Sequence, residues 1–81
     1  MLGARIFGGM RERRDDKARE FGRRLRQVRE RRGFSQEELA ENAGVSRSVV
    51  ASAELGGSLP YPRNRRRLAE ALGADVSELW G

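Results

Sequence analysis

Apolar residues fall into short helical stripes separated by glycine, serine and proline, and nowhere into the two-residue alternation of a half-buried strand. From Asp15 the pattern turns helical, with Phe21, Leu25 and Val28 at i, i+4 and i+7 on an otherwise arginine-rich cylinder. Gly33 predicts the end of that helix, and Phe34 a core anchor in the connection. Ser35-Gln36-Glu37-Glu38 reads as a capping box, because the Ser35 hydroxyl can accept from the third backbone amide while the Glu38 carboxylate reaches back to the cap. The helix so begun carries Leu39, Ala40 and Ala43 and stops at Gly44, where a left-handed residue turns the chain sharply. Val45 fills the corner. Ser46 caps a helix from Arg47 to about Leu55, with Val50 and Ala53 on one face and Val49 at its margin. The opposite stripe is Arg47, Ser48, Ala51, Ser52 and Leu55.

Gly56 to Pro62 form a loop rich in breakers, and Pro62 suits the first turn of the next helix, whose apolar side is Leu68, Ala69 and Leu72 before Gly73 ends it. Asp75 and Glu78 frame a last short helix with Val76, Leu79 and Trp80. The expectation is an all-α, compact five-helix domain over residues 15–81, preceded by a flexible N-terminal tail over residues 1–14. Residues 1–10 have no sustained period and contain Gly8 and Gly9, which suits either an upstream start or an arm laid in a DNA groove.

Composition narrows the chemistry. The 81 residues include no cysteine and no histidine, so disulfides, the usual zinc sites and thiol or imidazole catalysts are excluded. No apolar run approaches the roughly 20 residues of a membrane span, and the start has no secretory apolar core, so a cytoplasmic protein with no membrane partner is expected. The net charge of +5 points to a polyanion, although a solvated basic surface gives the same total. Residues 1–34 carry 12 basic against 5 acidic side chains, residues 35–59 carry 1 against 4, and residues 60–81 carry 4 against 3. Positive charge therefore flanks a neutral to acidic centre.

Two helices of about eight residues, joined by Gly44-Val45-Ser46 with small Ala40 and Ala43 at the close approach, describe a helix-turn-helix unit. The stretches LRQVRERRGFSQEELAENAGVSRSVVASAELG and RRLAEALGADVSELW closely resemble the lambda-repressor-like (Cro/repressor) helix-turn-helix family, over about residues 21–80 and most strongly through Glu54. The resemblance implies a second helix in the major groove and a first helix crossing the backbone. It implies base-contacting roles for Arg47, Ser48, Ala51 and Ser52, and phosphate contacts for Gln36, Ser46, Arg63, Arg65 and Arg66. It also implies a partly buried ion pair between Arg29 and Glu54. Ala51 and Ser52 are shorter than the family's frequent readers, so only Arg47 reaches a guanine edge bidentately, unless it grips phosphate instead. Arg65 stands where the family usually has an apolar residue.

These readings converge on a sequence-specific transcriptional regulator, a repressor in the first instance, that binds double-stranded DNA without a cofactor. One module reads too few base pairs to stand out in a genome, so a two-fold homodimer is expected, with the apolar tip Leu79 and Trp80 as its contact. The competing reading is a protein-interaction module or antitoxin on the same fold, with a toxin or sigma factor as partner. An enzyme is rejected for want of a metal cluster, a phosphate loop or a catalytic carboxylate pair.

Overall fold

The computed structural model describes the backbone of residues 2–80 and the side chains of residues 16–79. Among the described residues there are five helices and no strand: α1 (Leu2–Arg31), α2 (Gln36–Ala43), α3 (Arg47–Leu55), α4 (Pro62–Leu72) and α5 (Val76–Trp80). The starts of α2 and α3 follow from their caps. The Glu38 amide donates to Ser35 Oγ (3.0 Å) while the Ser35 amide donates to Glu38 Oε1 (2.9 Å), and the Val49 amide donates to Ser46 Oγ (3.3 Å). At the end of α2, Gly44 adopts φ +71°, its amide donating to the Glu41 carbonyl (3.3 Å) and that of Val45 to the Ala40 carbonyl (3.0 Å). This pair of bonds satisfies carbonyls the helix would otherwise leave open, and only a residue without Cβ takes that φ at no steric cost.

Burial follows the predicted stripes. Phe21, Leu25, Leu39, Ala40, Ala43, Val50, Ala53, Leu68, Ala69, Leu72 and Leu79 make one cluster, with Val28, Phe34, Val45 and Leu59 packed against it. α3 packs on α1 and α2, α4 on α2, and α5 on α1 and α4, so each short helix leans on two neighbours or on a longer one.

Two differences from the sequence expectation matter, and so does one residue on which the sequence reading makes no statement. First, α1 starts at Leu2, not near Asp15, so the backbone of residues 2–14, expected as a flexible tail, is helical. The apolar stripe marks where a helix buries a face, not where it begins, and between Leu2 and Arg31 no proline interrupts it. Second, Leu79, expected at a dimer contact, is buried inside the chain's own core, where α5 closes on α1 and α4. It offers no surface to a second copy, and the side chain of Trp80, its expected partner there, lies outside the described residues. That residue is Gly22, a packing residue. A Cβ at this position would fall on the Ala53 carbonyl oxygen and lie 3.0 Å from that of Glu54, so glycine is what lets α1 approach the end of α3.

Candidate nucleic-acid interface

The helix-turn-helix pair is formed by α2, the turn Gly44-Val45-Ser46 and α3. On α3, Val50 and Ala53 are buried, so the helix is fixed in rotation and its other side must face outward. Arg47, Ser48 and Ser52 are exposed there and Ala51 is half-buried; Leu55, at the end of the same stripe, is 83% exposed. Arg47 heads the helix, and its side chain makes no hydrogen bond or ion pair with the described residues. The four expected base-contacting residues are thus brought onto one outward side.

The residues expected at phosphates are placed less uniformly. Ser46 is the exposed cap of α3, its hydroxyl oxygen occupied by the Val49 amide. Gln36 opens α2, and its side-chain amide donates to Glu54 Oε1 (3.1 Å). Arg63 and Arg66 are exposed in the first turns of α4, a helix with no acidic residue in its first turn and no side-chain cap at Tyr61. Arg65 is different: it is half-buried, and its Nη1 donates to the Pro60 carbonyl at 2.6 Å.

The expected ion pair is present. Arg29 Nε donates to Glu54 Oε2 (2.5 Å) and Nη2 to Oε1 (2.9 Å), in a bidentate arrangement whose side chains are 11% and 5% exposed. Arg29 Nη1 also donates to the Phe34 carbonyl (2.8 Å). One guanidinium and one carboxylate therefore hold four places together: α1, the α1–α2 connection, the start of α2 through Gln36, and the end of α3. The hydrogen bond to Glu54 raises the Arg29 pKa above its already high ordinary value, against the opposing effect of burial, so the cation persists at every accessible pH. A carboxylate near a helix C-terminus is unfavourable toward the macrodipole, so the place of Glu54 is explained by Arg29 and not by α3 itself.

Two contacts of this region were not foreseen. Arg67 Nη1 reaches the Gly44 carbonyl at 3.4 Å, a long contact between α4 and the turn. The Gln36 to Glu54 bond joins residues 18 apart, and sequence spacing carries no signal for it. Gly22 did carry one, since an isolated glycine inside an amphipathic helix usually has a packing reason.

The chain is similar to proteins described as regulators. A profile described as a helix-turn-helix domain matches residues 20–79. The chain is 34% identical over 59 residues to the HTH-type transcriptional regulator YazB of Bacillus subtilis, covering 73% of this chain and 86% of that protein. It is 39% identical over 54 residues to an HTH-type transcriptional regulator of Methanothermobacter thermautotrophicus, covering 67% and 78%. Among solved structures, the restriction-modification controller protein C.AhdI from Aeromonas hydrophila superposes with a TM-score of 0.74 at 40% identity, over 76% of this chain and 94% of that one. The match over residues 20–79 takes in the core, both caps and the turn, and the chain belongs to the lambda-repressor-like helix-turn-helix family of DNA-binding transcriptional regulators.

Proposed function

We propose that this regulator reads operator DNA by laying α3 in the major groove, with Arg47, Ser48, Ala51 and Ser52 toward the base edges. The observation that carries the reading is the rotation of α3: burial of Val50 and Ala53 leaves those four on the outward side. Arg47 is the long reader, suited to a guanine edge. Gln36, Ser46, Arg63 and Arg66 grip phosphates. For Gln36 the support is its place at the start of α2, where open backbone amides favour an anion. For Arg63 and Arg66 it is an acid-free helix start whose like charges an approaching phosphate would neutralise. The protein acts as a repressor in the cytoplasm, without catalysis or cofactor, and binds as a two-fold homodimer on a palindromic site, because one module of this size reads too few base pairs for genomic discrimination. Its dimer surface excludes Leu79, which is buried.

Arg47→Ala tests the assignment. Binding to a duplex selected from a random pool should weaken by roughly 1 to 3 kcal/mol, with preference relaxed at one base position per half-site. Equal weakening on selected and random duplexes would make Arg47 a phosphate contact only. A second reading, a protein-interaction module, draws on the exposed apolar residues Leu55 (83%) and Tyr61 (80%). Affinity for DNA that does not fall steeply with salt would favour it.

A further inference from the structure

The connection from α3 to α4 contains Gly56, Gly57, Ser58, Leu59, Pro60 and Tyr61, and two features leave its far end weakly fixed. Tyr61, at the cap position of α4, makes no side-chain capping bond. Only Leu59 packs against the core cluster, while Tyr61 stands 80% exposed. Into this gap comes Arg65. Its Nη1 donates to the Pro60 carbonyl (2.6 Å), beside the ordinary first helical bond of its backbone amide to the Tyr61 carbonyl (2.9 Å), so its side chain ties a loop carbonyl to the first turn of α4. The short distance is that of a charge-assisted bond, and the half-buried site shields it from water.

We infer that Arg65 is a positioning residue for DNA binding and not a phosphate contact. It is a latch that fixes the end of the loop and the first turn of α4, and so sets where Arg63 and Arg66 meet the backbone. The inference rests on the proposed docking. It separates arginines to which the resemblance gives one phosphate-contacting role: Arg63 and Arg66 are exposed, whereas Arg65 turns back onto its own loop. An apolar side chain of similar length could fill the same half-buried space but could not hold the Pro60 carbonyl.

Arg65→Met in the full chain tests this, with Arg65→Lys and Arg63→Ala beside it. Without DNA, amide exchange at position 65 and at Arg66 and Arg67, whose amides close the first turns of α4, should quicken by roughly tenfold in Arg65→Met, while Leu25 and Leu39 keep their protection. Arg65→Lys, which retains a donor, should recover part of the lost protection. On a duplex selected from a random pool, Arg65→Met should bind roughly tenfold more weakly with an unchanged slope of log affinity against log salt, whereas Arg63→Ala should lower that slope by about 0.9 for each protomer bound. Unchanged exchange in Arg65→Met overturns the latch. Faster exchange with unaltered affinity overturns its role in binding, and a slope lowered as much as in Arg63→Ala makes Arg65 a phosphate contact after all. If the unmodified protein binds DNA without salt dependence, the proposed function fails, and the exchange result alone then decides whether the latch exists.

Discussion

Replacing Glu54 by alanine removes one carboxylate and leaves the Arg29 guanidinium, 11% exposed, without its bidentate partner. Loss of one partner from a buried pair costs about 3 to 5 kcal/mol, mostly from the charge left uncompensated. The Phe34 carbonyl still accepts from Nη1, and the gap at Glu54 gives water a route to Arg29, so the lower end, about 3 kcal/mol, is expected. A domain of this length has a total stability of roughly 4 to 12 kcal/mol, so the loss is a large share of it. In thermal unfolding it corresponds to a midpoint lowered by roughly 12 to 24 °C. The double variant Arg29→Met with Glu54→Leu removes both charges and should recover much of that loss, since an apolar pair of similar volume avoids desolvation. The assay is thermal unfolding followed by circular dichroism, with Arg29→Met, Glu54→Leu and the double variant in one cycle beside Glu54→Ala. A Glu54→Ala midpoint within about 2 °C of the unmodified protein, or a double variant less stable than both singles, would refute an ion pair that holds the fold.

Gly22→Ala should destabilise by about 1 to 3 kcal/mol or more, because its Cβ meets backbone, the Ala53 carbonyl, which cannot rotate away as a side chain can; urea unfolding measures it. Gly44→Ala should cost about 1 to 2 kcal/mol, the left-handed backbone term alone, because no atom lies within 4 Å of the added Cβ; a loss above about 3 kcal/mol would contradict this reading. Hydrogen bonds from Arg23 and Arg24 hold the Glu20 pKa below the ordinary carboxylate range, so its contribution to stability is present above that range and is lost as pH falls through the lowered folded value. Any gap in unfolding midpoint between the unmodified protein and Glu20→Gln at neutral pH should therefore close below about pH 4, and a gap that widens there would reverse the sign.

The helix-turn-helix pair was legible because its information is local. The Ser35 to Glu38 box, Gly44, the Ser46 cap and the spacing of Val50 and Ala53 each act within one or two turns, and each appears where the sequence places it. The Arg29 to Glu54 pair spans 25 positions and was reached through resemblance, since neither periodicity nor capping bears on it. Leu79 was misplaced because a short apolar helix reads alike whether its face meets a second copy or its own core, and contact with α1 and α4 decides between them. The usually apolar character of its position is the one sequence signal that sets Arg65 apart; charge alone does not show where a guanidinium points, and the Pro60 carbonyl, five residues back, does.

The same carboxylate serves stability and the geometry of the proposed interface. Glu54 holds Arg29 on one side and the Gln36 amide on the other, so the start of α2 and the end of α3 are referenced to one point. If Gln36 anchors a phosphate while Arg47 reads a base, their separation is set partly by that shared carboxylate, and an operator contact at one is registered against the other. Arg47 lies at the opposite end of α3 and has no bond into this network among the described residues. Its loss should therefore leave the unfolding midpoint unchanged while weakening binding. Loss of Glu54 should degrade both, and binding more than the unfolded fraction accounts for, because the remaining folded molecules no longer hold Gln36 in place.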